Sequence, residues 1–331
     1  MLAKPSLNQE VETLMKQKSP SPLRGFLYYL RCLIRKQPRL VNLELTKKCN
    51  ASCAFCTCWQ VDSSGELDDY GPVIKKIRPV VVSVSGGEPL LRKNYDDLLR
   101  TMRPYCHYLS IITNGALLNE KSAKRLLDAG VDQISVSLDY LSEEHDRNRV
   151  IAGLYDHLSK MIPKLAKDGY RLSLNTIIME SNLDEIILIA HKAKEWGVDV
   201  SFSAYCPLKS DTEDQMIKKE RYEKLVSVID ELMKLKGELG NIKNSNYYLE
   251  KLKVYFKEGH VCNCKAGERW IQVTPDGYIQ QCSELPRICH YSEFGRDKLK
   301  PVSCTKCWYT CRGELEANPL APDRLIELIK A

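Results

Sequence analysis

Cys49, Cys53 and Cys56 stand in one run, Cys-x3-Cys-x2-Cys, directly after the short apolar segment Val41–Leu45. Three thiolates this close can ligate three irons of one [4Fe–4S] cube and leave the fourth iron open. A structural zinc takes four protein ligands, and a catalytic zinc usually mixes in histidine or carboxylate. A zinc knuckle or a set of redox thiols is the alternative for the run taken alone. A second group, Cys262, Cys264, Cys282, Cys289, Cys304, Cys307 and Cys311, crowds the C-terminal part. There, alternating apolar residues on either side of Pro275-Asp276-Gly277 predict a β-hairpin. Its open end brings Cys264 and Cys282 together, and Cys304-Thr305-Lys306-Cys307 offers a two-sulfur chelate from a later loop. Four thiolates so placed suit a zinc ribbon or a [4Fe–4S] cluster.

The elements that must carry these residues repeat as strand, loop, helix from residue 40 to about 206. Strands are predicted at Val41–Leu45, Val80–Ser85, Tyr108–Thr113, Gln133–Leu138, Arg171–Ile178 and Val198–Tyr205. Amphipathic helices are predicted at Tyr95–Arg103, Glu120–Ala129, Glu143–Lys167 and Leu183–Trp196, with Gly130, Gly169 and Gly197 as stops. Six such units imply an α/β fold, a partial (β/α)6 TIM-like barrel with a small C-terminal α+β extension. Polar motifs fall at the strand ends, where barrel chemistry gathers. Gly86 and Gly87 permit close backbone approach, and Glu88 offers a carboxylate to an ammonium group. Arg149 offers a fork to a carboxylate. Arg149 and Asn175 could equally be ordinary structural hydrogen-bonders, and Thr113-Asn114-Gly115 a plain turn.

The triad, with Phe55 before its third cysteine, resembles the signature of the radical S-adenosylmethionine (radical SAM) superfamily. Ser85-Gly86-Gly87-Glu88-Pro89, Thr113-Asn114-Gly115, Ser137-Leu138-Asp139 and His145-Asp146-Arg147-Asn148-Arg149 are similar to elements of that family. The resemblance implies a SAM-binding [4Fe–4S] cluster on Cys49, Cys53 and Cys56, reductively cleaving SAM to a 5′-deoxyadenosyl radical that abstracts a substrate hydrogen. It implies SAM contacts from Gly86, Gly87, Glu88, Asn114, Ser137, Asp139, Arg149 and Asn175, and an electron donor of flavodoxin or ferredoxin type. Cys264 … Pro275-Asp276-Gly277 … Cys282 … Cys304-x2-Cys307 looks like the SPASM/twitch extension of these enzymes. Cys307 and Cys311 lie too close together for the two-cluster form, so the resemblance implies one auxiliary [4Fe–4S] cluster on Cys264, Cys282, Cys304 and Cys307. Cys311 is the main substitute and Cys262 a lesser one. The expected outcome is an oxidative or C–C/C–X bond-forming modification of a small-molecule or lipid-like substrate. Peptide maturation is the alternative, lowered by the short segment before the first cluster, and a non-catalytic Fe–S or zinc protein is a second alternative.

The expected organisation is an N-terminal arm over 1–39, the barrel over 40–208, a helical linker over 209–258, the auxiliary domain over 259–318 and a C-terminal helix over 319–331. The arm contains an amphipathic helix, Leu23–Lys36, with Phe26, Leu30, Leu33 and Ile34 on one stripe. It reads as a helix closing the barrel's bottom, or as an interfacial helix that touches a membrane or admits an apolar substrate. Of the remaining cysteines, Cys58 is awkwardly close for a fourth ligand, Cys106 reads as core, and Cys206 closes the sixth strand and faces the chamber. The net charge of +6 permits an anionic partner without selecting one. Basic and aromatic residues in 211–258 are mixed with acidic ones, so no nucleic-acid partner is expected. Fourteen cysteines without a secretory signal point to metal ligation in a reducing compartment, hence a cytoplasmic protein, peripheral at the membrane if the helix docks.

Overall fold

The computed structural model describes residues 21–61 and 64–317. Residues 1–20 of the expected N-terminal arm and the helix expected over 319–331 lie outside the described residues. The six predicted strands are all present, within a residue or two: β1 Leu40–Glu44, β2 Val81–Ser85, β3 Tyr108–Thr113, β4 Gln133–Ser137, β5 Leu172–Ile178 and β6 Asp199–Ala204. They pair in parallel in sequence order. Helices cover them on one side: α2 Gly71–Ile77, α3 Tyr95–Met102, α4 Glu120–Asp128, α5 Glu144–Arg149, α6 Leu154–Lys167 and α7 Ile186–Glu195, after α1 Pro22–Ile34 at the N-terminal side. The sheet's outward residues, such as Val41, Leu43, Val82, Val84, Leu109 and Ile111, are fully buried in one core with those helices. Gly130, Gly169 and Gly197 adopt positive φ at the predicted stops.

Helix Glu143–Lys167 of the sequence reading is two helices. Val150 turns left-handed at φ 56° after α5 and Gly153 does so at φ 73° before α6. The Asp146 carboxylate accepts from the amides of Gly153 (2.5 Å) and Tyr155 (2.7 Å), so it starts the second helix where the first one ends. Helix α2 was not expected; Asp69 accepts from the Gly71 amide at its start (2.7 Å).

Residues 209–258 do not behave as solvated spacers. Helices α8 Tyr222–Leu239 and α9 Asn246–Glu258 bury Leu225, Ile229, Leu232, Tyr248, Leu249 and Leu252 against the body. Between them the Val200 amide donates to Asn241 O and the Lys243 amide donates to Val200 O, both at 2.9 Å, which covers the open edge of β6.

The C-terminal hairpin, β7 Trp270–Val273 and β8 Tyr278–Gln280, forms as predicted, and an unexpected third strand, β9 Arg287–His290, pairs with it. Strand β7 also lies parallel to β1, with Leu40 opposite Trp270 and Leu43 opposite Val273. The sheet is therefore continuous through nine strands in the order β6-β5-β4-β3-β2-β1-β7-β8-β9. Helix α10, Thr310–Glu316, bridges the gap left between β6 and β7: Thr310 Oγ1 donates to Phe202 O (3.3 Å) and Arg269 donates to Leu315 O (2.5 Å).

Candidate active site

The loop after β1 carries the triad to the C-terminal end of the barrel. Its path is fixed by backbone contact with the loop after β2. The Gly87 amide donates to Thr46 O and the Glu88 amide to Lys48 O, each at 2.8 Å. A Cβ on Gly86 would strike Thr46 O, and one on Gly87 would strike Lys48 O, so both glycines are required by close packing of the two loops. Cys49, Cys53, Cys56 and Cys58 line one cavity of about 360 Å³ with Phe55, Gly86, Gly87, Asn114, Ser137 and Arg149. Burial pushes the Cys49 and Cys53 thiols up, whereas the Cys58 thiol hydrogen-bonds Cys56 and brings it down to about 6.

Of the other residues singled out in the sequence, Glu88 is fully buried and does not line this cavity. Its carboxylate accepts from the Leu90 amide (3.1 Å), Thr113 Oγ1 (2.7 Å) and the Asn114 amide (2.7 Å). Burial raises its pKa, and those donors oppose the rise. The carboxylate expected to face an ammonium group also braces the turn after β3. Asn114 in turn donates to Asn50 Oδ1 (2.7 Å), beside the first cysteine. Arg149 lines the cavity, with its guanidinium 5.1 Å from the centre of the Phe55 ring. Its Nε and Nη2 both donate to Asp139 Oδ2, at 3.0 and 2.6 Å. Asp139 also accepts from the Ile177 amide (3.0 Å), is buried and does not line the cavity, so it acts through Arg149. Asn175 accepts from Ser201 Oγ (2.7 Å) and stands outside the cavity wall, opposite Ser137 in the sheet.

Five of the seven C-terminal cysteines, Cys264, Cys282, Cys304, Cys307 and Cys311, line a second cavity of about 490 Å³. Cys264, Cys282, Cys304 and Cys311 pack together with Trp270, while Cys307 packs into the main core. Cys262 is exposed and Cys289 lies in β9; neither lines this cavity. Among the described residues, no three His, Cys, Asp or Glu side chains converge on one point that could hold a single metal ion. Four thiolates around one cavity suit either a [4Fe–4S] cluster or a four-cysteine zinc site. The donor sets at both cavities fit iron–sulfur clusters.

Several residues at this site, Cys206 excepted, carry little or no sequence signal. The buried Arg312 guanidinium donates to Cys307 O (2.7 Å), Val261 O (2.6 Å) and Cys262 O (2.9 Å), and its Nε to Glu316 (2.8 Å). It ties together the loops that present the C-terminal cysteines. Trp308 stacks on Tyr248 at 5.6 Å and fixes the same segment to α9. Tyr309 lines both cavities and its hydroxyl meets Glu284 (3.2 Å). Cys206 lines the first cavity and accepts from the Trp308 amide (3.4 Å), as the end of β6 requires. Lys209 also lines it; burial opposes its charge, but Cys58, Glu284 and Glu44 hold the ammonium above its ordinary pKa. A lysine three residues past a cysteine is the faint signal that could have drawn attention to it.

A parallel partial barrel with a thiol-lined cavity at the C-terminal ends of its strands fits an iron–sulfur enzyme of the barrel class. The chain matches the radical SAM superfamily over residues 43–193. It is an enzyme of radical SAM chemistry, and its cofactors include S-adenosylmethionine and a [4Fe–4S] cluster. Among curated relatives, GTP 3′,8-cyclase of Clostridium perfringens is 29% identical over 261 residues, spanning 73% of this chain and 79% of the relative. AdoMet-dependent heme synthase of Methanosarcina barkeri is 30% identical over 208 residues, spanning 60% of this chain and 59% of the relative. Among solved structures, Streptococcus suis SuiB bound to S-adenosylmethionine shares the fold at a TM-score of 0.65 and 16% identity, over 82% of this chain and 68% of SuiB. anSMEcpe with bound AdoMet shares it at 0.60 and 19% identity, over 78% of this chain and 80% of that one.

Proposed function

We propose that this enzyme modifies a small polar molecule held between two iron–sulfur sites, with an oxidative or bond-forming outcome. The observation that carries the proposal is the meeting of the two cysteine-lined cavities at Tyr309, with Lys209 on one side and Glu284 on the other. Cys49, Cys53 and Cys56 would hold the first cluster, and Gly86, Gly87, Asn114, Ser137 and Arg149 would bind SAM beside it. When bound, that pair supplies the 5′-deoxyadenosyl radical that takes a hydrogen atom from substrate. Arg149 keeps Nη1 available for the SAM carboxylate while Asp139 fixes its plane. Cys264, Cys282 and Cys304, with Cys307 or Cys311, would hold an auxiliary [4Fe–4S] cluster. Lys209 would receive an anionic group of the substrate, and Glu284 with Tyr309 a hydroxyl or amine. Electrons would come from a flavodoxin- or ferredoxin-type donor.

We rank the lipid reading lower. Helix α1, which suggested it, sits at the N-terminal ends of the strands, whereas the triad's cavity lies at their C-terminal ends. A peptide substrate remains the second reading, because SuiB is also solved with its precursor peptide SuiA and shares this fold at a TM-score of 0.62.

Anaerobic reconstitution tests the assignment. The wild type should carry about eight irons per chain and form 5′-deoxyadenosine when reduced, and Cys53→Ala should abolish that product. Replacing the whole triad by Ala should leave about four irons, held by the C-terminal cysteines. Stoichiometric zinc in place of the second cluster, or undiminished cleavage in Cys53→Ala, would overturn it.

A further inference from the structure

The sequence reading of α1 expects a helix that either packs its apolar stripe on the barrel or offers it to lipid. The structure separates the two faces. Gly25 lies against the His107 ring so closely that a Cβ would fall 2.7 Å from Nε2, and Cys32, 1% exposed, points its sulfur at Arg78 O (3.7 Å). His107 and Arg78 precede β3 and β2, so this small-residue face covers the N-terminal ends of the strands. The apolar stripe points the other way. Leu23 is 68% exposed, Phe26 and Leu27 57%, Leu33 47% and Ile34 80%. With Leu30 these positions fill an arc of about 120° around the helix. Among the described residues nothing covers it, although packing inward would have been the cheaper use of five large apolar side chains.

Charge chooses the occupant. From Pro22 to Leu43 there is no acidic residue, while Arg24, Arg31, Arg35, Lys36 and Arg39 supply five cations. Arg24, Arg31 and Arg35 recur at spacings that place them along one border of the apolar arc. A second copy docked across a two-fold axis would set these cations against themselves. An apolar stripe bordered by cations matches an anionic lipid surface, with hydrocarbon under the stripe and headgroups along its edge.

We propose that α1 docks this enzyme on anionic bilayers, with the N-terminal ends of the barrel strands toward the lipid and the cavity of Cys49, Cys53 and Cys56 toward the aqueous side. A five-residue strand, about 17 Å long, separates the two ends. Docking therefore anchors the enzyme without delivering lipid to the cavity of the cysteine triad.

Flotation of the full-length protein with vesicles tests this. It should rise with vesicles of equal parts phosphatidylglycerol and phosphatidylcholine, stay down with phosphatidylcholine alone, and be partly released by salt. Phe26→Ser with Leu27→Ser and Ile34→Ser should abolish binding. In Arg24→Gln with Arg35→Gln, each lost cation should weaken binding about fivefold. Both variants should cleave SAM as the wild type does, which reports an intact fold. Four results would each overturn the proposal: no flotation of the wild type, unchanged flotation of the serine variant, binding only after deletion of residues 1–20, or a dimer in light scattering that the serine variant dissociates. The third would make the chain's own N-terminal segment the occupant, and the fourth a second copy.

Discussion

Glu88 has partners within the protein that its motif does not announce. Its carboxylate has three donors within the protein, and two of them belong to the turn that presents Asn114. In Glu88→Gln one terminus becomes a donor and must face either the Asn114 amide or the Thr113 and Leu90 donors. A buried mismatch of this kind costs about 1–3 kcal/mol. The expected outcome is a lower urea midpoint in the apoprotein, with SAM affinity falling as a consequence. A direct partner of the SAM ammonium would instead lose affinity and leave apoprotein stability unchanged. Titration of SAM by calorimetry beside urea unfolding separates the two. The triad itself was legible because ligand spacing within one loop is a property of sequence. The uses of Glu88, Asp139 and Arg312 were not legible, because each depends on which distant backbone groups the fold brings to it.

At the scale of elements, the strands were readable from their apolar runs, and the glycine stops from the requirement for positive φ. The break at Val150 was hidden, since neither Val150 nor Asp146 signals a cap when the residues around them continue a helical period. That break matters because α5 delivers both Arg149 and His145 beneath the end of β4. His145 is fully buried, and its Nδ1 accepts from the Asp139 amide (3.2 Å). Burial, and then the neighbouring Arg149, lower its pKa from 6.5 to about 4. Below pH 6.5 the unfolded chain takes up a proton that the folded chain refuses. The stabilisation is therefore complete above the unfolded value and is lost as pH falls toward the folded one, a loss of about 3 kcal/mol for this group. The expected outcome is a urea midpoint that declines as pH is lowered through that window, with a flatter decline in His145→Gln. Equal slopes in the two proteins would show that His145 is protonated at no cost in the native state.

The whole molecule differs most from its sequence reading in where it can be divided. Composition and cysteine content suggest a barrel, a linker and an appended cluster domain, because a change of residue type is visible and a strand pairing is not. In the structure β7 continues the sheet beside β1 over Leu40–Leu43, and Tyr70 of the barrel donates its hydroxyl to Pro275 O (2.7 Å) in the hairpin turn. The segment after Cys307 stacks Trp308 on Tyr248 and donates from Thr310 to β6. A chain ending at residue 258 would therefore expose the edge of β1, leave the Tyr70 hydroxyl without that acceptor and uncover the aromatic face of α9. An unpaired parallel edge beside freshly exposed apolar surface favours association. We expect residues 1–258 to be recovered aggregated, or as a species that binds a hydrophobic dye and lacks near-ultraviolet dichroism. The full chain should unfold in urea as one transition by fluorescence and by far-ultraviolet dichroism, since the barrel and the extension share one sheet. A soluble, monomeric 1–258 fragment with native dichroism would instead make the extension an appendage on a barrel that is complete without it, and two separate transitions in the full chain would say the same.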